Sequence, residues 1–218
     1  MRHKGHAVKV VPATPEFIAE AARRLREGAI IAYPTDTVYA VGADATNPRA
    51  IERVRALKGR APAKPLIVLS ASRAEAEAYG EFDAPARQLA EAFWPGALTL
   101  VLARREPSAL ASEVSAGSAT VALRVPGNVA TLALLMATGR PLVAPSANRE
   151  GEPTRSSAWG VGRAFGSALA LVLDGGPSRD AAPSTLLDLT HSPPRLLREG
   201  AVSRQALEAI VGPIASCA

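Results

Sequence analysis

Residues 29–39 read Ala29-Ile30-Ile31-Ala32-Tyr33-Pro34-Thr35-Asp36-Thr37-Val38-Tyr39. The first five form a short apolar run with two β-branched residues, the pattern of a strand buried on both faces. Pro34 stops it, and a polar loop of two threonines and an aspartate follows at once. Loops at strand ends are where α/β proteins commonly carry ligand-binding groups. Upstream, residues 14–28 predict a helix. Thr14 can cap it, Pro15 suits the first turn and Gly28 the exit, and Phe17, Ile18, Ala21, Ala22 and Leu25 recur at helical spacing.

The same alternation continues downstream. Asn47-Pro48 predicts the start of a helix with Ala50, Ile51, Val54 and Leu57 facing inward, its last turn aimed at Lys58-Gly59-Arg60. Pro65–Leu69, Ala97–Ala103, Thr120–Val125, Pro141–Ala144, Ala168–Leu173 and Leu186–Leu189 read as strands. Ser72–Gly80, Ala84–Phe93, Ala130–Thr138 and residues 203–211 read as helices, the last capped by Ser203. The fold class is therefore α/β. No repeat of solenoid length is visible. The polar, Gly-, Pro- and Ser-rich stretch from Arg149 to Trp159 is expected to be a loop covering a site within one domain. The expected organisation is a tail over residues 1–13, a domain over 14–212 and a second tail over 213–218.

Composition narrows the chemistry. The chain has 218 residues, 48% hydrophobic and 21% charged, which is ordinary for a globular protein and excludes general disorder. The single cysteine, Cys217, excludes a disulfide within the chain and a Cys-rich zinc site. The three histidines are His3, His6 and His191, too few and too scattered for a His-based metal centre or a Ser-His-Asp triad. No stretch approaches about 18 uninterrupted apolar residues. The basic start, Met1 to His6, is followed by no apolar core of signal-peptide type, so the expected address is the cytoplasm and no membrane partner is expected.

The net charge is +5. Between Arg49 and Lys64 stand six bases (Arg49, Arg53, Arg55, Lys58, Arg60, Lys64) and one acid, Glu52, a local surplus of five. Such a field attracts phosphates of a nucleotide, a nucleic acid or an anionic lipid surface. It also fits a solvated helix face with arginine stems lying on apolar neighbours, and charge alone favours that plainer reading.

Neither a Walker A loop nor a Rossmann glycine fingerprint is present; Asp174-Gly175-Gly176-Pro177 is too short and reads as a turn. Four polar segments remain: Pro34-Thr35-Asp36-Thr37, Lys58-Gly59-Arg60 with Lys64, Ser146-Ala147-Asn148, and Ser184-Thr185. Hydroxyls and amides beside a basic segment suit an oxygen-rich anion, which they orient while Lys or Arg neutralises it. Singly, each has a plainer reading: Ser-x-Asn after Pro as a cap or turn, and Ser184-Thr185 as a strand start. Arg124, inside an apolar strand pattern, reads either as an edge-strand residue or, facing inward, as the partner of a substrate carboxylate. With no histidine near these segments, the chemistry must rest on positioning and charge neutralisation. Nucleotidyl transfer is of that kind.

In order along the chain, the sequence also carries Tyr33-Pro34-Thr35-Asp36-Thr37-Val38-Tyr39, Leu57-Lys58-Gly59-Arg60, Lys64-Pro65-Leu66-Ile67-Val68, Trp94-Pro95-Gly96-Ala97-Leu98-Thr99, Thr120-Val121-Ala122-Leu123-Arg124-Val125-Pro126, Ala144-Pro145-Ser146-Ala147-Asn148, Ser184-Thr185-Leu186-Leu187-Asp188 and Leu197-Arg198-Glu199-Gly200. These eight collinear motifs resemble the YrdC-like family, in its short single-domain form. The resemblance implies a twisted mixed sheet with flanking helices and an open, basic, concave groove. It also implies an enzyme that makes threonylcarbamoyl-AMP and pyrophosphate from L-threonine, bicarbonate and ATP with Mg2+, and that ligates no metal through its own residues. The threonylcarbamoyl group is then placed on an adenosine of tRNA by downstream threonylcarbamoyl-transferase proteins, with direct tRNA contact a further expectation.

By position the resemblance assigns Thr35, Thr120, Arg124, Ser146 and Ser184 to threonine, with Arg124 on its carboxylate. It assigns Lys58, Arg60, Lys64, Asn148, Ser156 and Arg198 to ATP, with Lys58 and Arg60 as the catalytic phosphate-contacting pair and Ser146-x-Asn148 shared between the two sites. Three positions depart from the family pattern. Ala40 stands where Gly is usual, Ala61 precedes Pro62 where Pro directly follows Lys-x-Arg, and Leu69 stands where a polar residue is common. Two other functions fit the same residues: an RNA-binding module using the basic groove, and a carbamoyl-transfer relative with another acceptor. Only 4% of residues are aromatic, which gives the first few stacking platforms.

Overall fold

The computed structural model describes residues 8–59, 61, 63–178 and 182–216. Eleven strands form one mixed sheet in the order β1-β8-β2-β3-β7-β4-β6-β5-β9-β10-β11. They are β1 Val10–Pro12, β2 Ile31–Tyr33, β3 Ala40–Asp44, β4 Ile67–Leu69, β5 Leu98–Ala103, β6 Thr120–Arg124, β7 Leu142–Val143, β8 Val172–Asp174, β9 Thr185–Asp188, β10 Arg195–Arg198 and β11 Ala215–Ser216. The helices are α1 Pro15–Arg26, α2 Pro48–Lys58, α3 Arg73–Ala76, α4 Ala84–Phe93, α5 Val129–Thr138, α6 Ala158–Phe165 and α7 Arg204–Val211.

Helices cover both faces of the sheet. One core joins Ile18, Ala21, Ala22 and Leu25 of α1 to Leu134 and Leu135 of α5 beneath Ile31 and Tyr33 of β2. The other gathers Ile51 and Val54 of α2, Leu89 of α4, Val161 and Phe165 of α6 and Leu207 of α7 against Val41, Val68, Leu100 and Leu123. Each fully buried Leu or Ile contributes about 1.5–3 kcal/mol from the area it withdraws from water, so the two layers hold the sheet from both sides.

Local chemistry explains where elements begin and end. The Asn47 side chain accepts the Ala50 amide at 3.2 Å to cap α2, and Gly59 closes that helix at φ +65°, a conformation that Gly adopts without steric cost. Asp83, Asn128 and Ser203 cap α4, α5 and α7 in the same way. Thr14 precedes α1 but makes no side-chain cap. β2 pairs antiparallel with β3, matching Tyr33 with Ala40, so the Pro34–Tyr39 loop is the tip of a hairpin.

Several boundaries differ from the sequence expectation. Val10–Pro12, expected in the N-terminal tail, pairs parallel with β8, and Ala215–Ser216, expected in the C-terminal tail, pairs with β10. Strands of two or three residues carry no readable alternation. Ser72–Gly80 shortens to the single turn of α3, because Gly80 instead bridges Arg104 across the sheet edge. The Arg149–Trp159 segment gives way to α6 at Ala158, with Ser157 accepting the Gly160 amide as its cap.

Candidate functional site

The hairpin tip between β2 and β3 meets the C-terminal ends of the parallel strands β4 and β6, where Leu69 pairs with Arg124. The loop after β7 runs back along β3. Val41 donates to the Pro145 carbonyl at 3.0 Å and Ala147 to the Tyr39 carbonyl at 2.7 Å, which sets Ser146 opposite Ala40. Between these elements lies a cavity of about 310 Å³. Thr35, Thr37, Arg124, Ser146, Ser184 and Arg198 supply its polar groups, and Val38, Ala40, Leu66, Ile67, Leu69 and Ala144 its apolar wall. The position at strand C-termini is the usual one for ligands of open α/β sheets.

Arg124 is buried, with 5% of its surface exposed. Its Nε donates to the Gly96 carbonyl at 2.8 Å, Nη1 to Thr37 Oγ1 at 3.2 Å, and Nη2 to Asp36 Oδ1 in an ion pair. The anion that an inward strand arginine needs is thus Asp36 of the hairpin tip. Of the five N–H groups of a guanidinium, these contacts use three.

Thr35 Oγ1 donates to the Val38 carbonyl at 2.6 Å and accepts the Thr37 and Val38 amides, each at 3.1 Å. Its hydroxyl therefore folds the tip as well as lining the cavity. Ser184 Oγ stands 2.8 Å from Thr99 Oγ1 and accepts from Arg198 Nη2 at 3.1 Å, while Arg198 Nε donates to the Ser184 carbonyl at 3.0 Å. Burial and the Asp174 carboxylate push the Tyr39 hydroxyl up to about 12, where it donates to the Gly176 carbonyl behind the hairpin.

Beside the cavity, the Lys58 ammonium donates to the carbonyls of Ser146 and Asn148 and lies 3.4 Å from Asn148 Oδ1. Ser146 Oγ donates to Asn148 Oδ1, and Asn148 Nδ2 donates to the carbonyls of Arg149 and Glu152 at 2.9 and 2.7 Å. Lys64 forms an ion pair with Glu150, whose amide donates to the Lys58 carbonyl at 2.9 Å. Lys58, Lys64 and Asn148 thus belong to one network that ties the Ser146–Glu152 segment to the end of α2, rather than to the cavity lining. Arg60 lies outside the described residues.

Two expected site residues stand elsewhere. Thr120 begins β6, four residues from Arg124. At 3.3 Å per residue it is about 13 Å away, on the same sheet face by the two-residue period but beyond the cavity, with its hydroxyl 2.8 Å from Ser118 Oγ. Ser156 lines a second groove with Thr154, Arg155, Ser157, Gly160 and Arg163, and Thr154 borders both that groove and the cavity.

The clustered bases are also less available than their count implies. Arg55 and Lys58 are buried and bonded to carbonyls, Arg53 donates to the Gly28 carbonyl at 3.1 Å, and Lys64 is paired with Glu150. The sequence assigns no individual role to Asp36, Thr37, Thr99 or Thr154. The first three stand inside quoted motifs, and Thr154 has no local signal. Among the described residues, no three His, Cys, Asp or Glu side chains stand together to hold a metal ion, and no helix is long and apolar enough to cross a membrane.

The protein is thus a mixed α/β sheet with a small polar-and-apolar cavity at its strand ends, set with an inward arginine and hydroxyls. Residues 23–200 match the Sua5/YciO/YrdC family, described as "Telomere recombination", and the chain belongs to that family. It is 41% identical over 198 residues to the threonylcarbamoyl-AMP synthase of Bacillus subtilis, covering 90% of this chain and 57% of that protein. To the threonylcarbamoyl-AMP synthase of Chromohalobacter salexigens it is 39% identical, covering 81% of this chain and 94% of the relative. The structure of P. abyssi Sua5 complexed with L-threonine superposes with a TM-score of 0.90 at 38% identity, covering 96% of this chain and 61% of that one. The chain thus spans little more than half the length of some of the relatives it matches. The family is the one that the eight motifs resemble.

Proposed function

We propose that this chain makes threonylcarbamoyl-AMP and pyrophosphate from L-threonine, bicarbonate and Mg-ATP in the cytoplasm, and that the product serves threonylcarbamoyladenosine modification of tRNA by downstream transferase proteins. The observation that carries the reading is Arg124, buried at the wall of a 310 Å³ cavity, with three N–H groups fixed by Gly96, Thr37 and Asp36. A rigid guanidinium with N–H groups to spare suits a carboxylate. The volume suits an amino acid and is at the lower end for ligand pockets.

The reactants fix the bond changes. The threonine amine forms a C–N bond to the carbonate carbon, and water is lost. An oxygen of the resulting carbamate then bonds to the α-phosphorus of ATP, and the bond from that phosphorus to the bridging oxygen breaks to release pyrophosphate. No side chain needs to become a covalent carrier, so the protein's part is to hold carboxylate, amine and α-phosphate in line and to neutralise charge. Ser146, Ser184 and Arg198 border the same space as Arg124. ATP is too long for the cavity, and the groove beyond Thr154, with Ser156, Arg155 and Arg163, continues from it. The Lys58 ammonium, held among carbonyls at the edge of Ser146-x-Asn148, and Arg60 are the cations proposed for the phosphates. Thr120, about 13 Å along β6 from Arg124, lines neither the cavity nor that groove, and no role is proposed for it. Mg2+ enters on the triphosphate, which supplies the oxygen ligands the ion prefers.

The test is pyrophosphate release from Mg-ATP and bicarbonate, with and without L-threonine. Release that requires both threonine and bicarbonate, with an Arg124→Lys variant needing far more threonine, supports the reading. Release that ignores threonine, or none at all, overturns it.

A further inference from the structure

Arg55 lies one turn before Lys58 in α2 and is 8% exposed. Its Nη1 donates to the carbonyls of Lys64 at 2.8 Å and Ala61 at 3.2 Å, and its Nη2 to the carbonyl of Glu113 at 2.7 Å. One guanidinium therefore joins the last turn of α2 to Ala61, to Lys64 and to the short helical turn Ser112–Val114. The Lys64 amide bonds the Ala61 carbonyl at 3.1 Å, and the Leu66 amide bonds the Val114 carbonyl at 2.9 Å.

We infer that Arg55 is a positioning residue for the proposed phosphate end, acting through Ala61 and Lys64 beside Lys58, an inference that rests on the function proposed above. A buried guanidinium carries a desolvation penalty, which its bonds to the carbonyls of Lys64, Ala61 and Glu113 offset. What arginine adds is a planar fork that fixes several carbonyls at once. Residue 61 is alanine, so no ring sets φ there. Side-chain bonds from α2 supply the restraint. The consequence extends further, because Lys64 pairs with Glu150 and the Glu150 amide bonds the Lys58 carbonyl, so Lys64, held by Arg55, also sets the anchor of the segment after Ser146-x-Asn148. Arg124 itself is fixed by Gly96, Thr37 and Asp36, none of which Arg55 bonds, so the threonine end is expected to change less.

The experiment compares wild type, Arg55→Met and Arg55→Lys in pyrophosphate release, varying Mg-ATP and threonine separately, and follows amide hydrogen exchange at Lys64 and Leu66. Loss of the fork is expected to raise KM for ATP about tenfold, the factor carried by about 1.4 kcal/mol, with KM for threonine within about twofold. Arg55→Lys, which can still reach some of the carbonyls, is expected to fall between. The two amides should exchange faster in Arg55→Met. An unchanged KM for ATP in a folded variant, or equal rises for both substrates, overturns the inference. If Arg55→Met does not fold, the Arg55→Lys variant decides by the same two criteria. If wild type releases no pyrophosphate, the proposed function fails, and the exchange rates alone then judge the clamp: equal rates in variant and wild type reject it.

Discussion

Replacing Arg124 by Met tests whether the cavity's key cation is also a structural tie. Methionine matches the length of the arginine stem and removes the guanidinium. The side chains of Arg124 and Asp36 are 6% and 20% exposed, so this is a mostly buried ion pair, and the same guanidinium also serves the Gly96 carbonyl and Thr37. Removing one member of a buried pair costs about 3–5 kcal/mol, much of it the uncompensated charge left behind. With Asp36 one-fifth exposed to water, the lower end, about 3 kcal/mol, is expected. For a chain of this length each kcal/mol moves the melting temperature by about 2–4 °C, so the drop should be about 6–12 °C. Adding Asp36→Asn neutralises the stranded carboxylate, and the double variant should recover about 2 kcal/mol as coupling energy. Neither variant should bind threonine measurably. Thermal and urea unfolding by circular dichroism read the stabilities, and calorimetric titration with L-threonine reads the binding. A single variant within 1 kcal/mol of wild type, or a double variant no more stable than the single one, refutes the pairing as the source of the effect. Threonine binding regained in the double variant would refute Arg124 as the carboxylate partner.

Three further outcomes are expected. All three tyrosines, Tyr33, Tyr39 and Tyr79, are pushed above their usual value of 10.0 mainly by burial, the last two to about 12; the folded state holds these protons more tightly than the unfolded chain, so their contribution to stability is intact below pH 10 and is lost between about pH 10 and pH 12. Absorbance at 295 nm should stay flat past pH 10 and rise only with unfolding, and a tyrosine ionising near pH 10 in folded protein would contradict this. Gly42→Ala should destabilise by about 1–3 kcal/mol through overpacking, because the added carbon would stand 2.5 Å from the Tyr33 hydroxyl and 2.6 Å from the Val143 carbonyl; a melting curve equal to wild type would show that β2 and β7 yield. Glu150→Gln should change global stability by less than about 1 kcal/mol, as exposed ion pairs do, yet speed proteolytic cleavage after Arg149; equal cleavage rates would show that Lys64 does not hold this segment.

The parts of the fold that were legible share a local cause. α2, α4, α5 and α7 each carry a polar cap and an apolar face, and β2, β5 and β6 are apolar runs bounded by Pro, Gly or Ser. β3 was not legible because Ala40-Val41-Gly42-Ala43-Asp44 is buried at every position and built of small residues, so neither alternation nor bulk marks it. Its small residues are needed for packing: Gly42 leaves room for the ring of Tyr33. α6 was hidden by Gly160 and Gly162, poor helix formers; Gly162 keeps that helix close to Val8 and Val10, which stand within 3.2 Å of where its Cβ would be. The N-terminal strand that makes this contact necessary is itself too short to read.

The site was legible in a different way, and the difference limits what motif residues can be said to do. The quoted motifs converge on one region, yet most of their polar atoms already have work within the fold: Thr35 folds the hairpin tip, Lys58 holds Ser146-x-Asn148, Lys64 holds Glu150 and Arg198 holds Ser184. A sequence motif records residue type and order, and gives no account of which partner each donor has. The resemblance placed Thr120 beside Arg124 at threonine, whereas four residues of extended chain, about 13 Å of backbone, separate the two on β6. A phosphate approaching Lys58 must replace carbonyl acceptors of the Ser146–Asn148 loop one for one. On the proposed function, binding at Lys58 requires that loop to adjust, whereas binding at Arg124 can use N–H groups beyond those given to Gly96, Thr37 and Asp36. Threonine should thus associate without slowing exchange of the loop amides, and Mg-ATP should change the exchange of the Asn148 and Glu150 amides, which bond the carbonyls of Ser146 and Lys58. Threonine alone altering those two amides as strongly as Mg-ATP would show that the two halves of the site are a single unit.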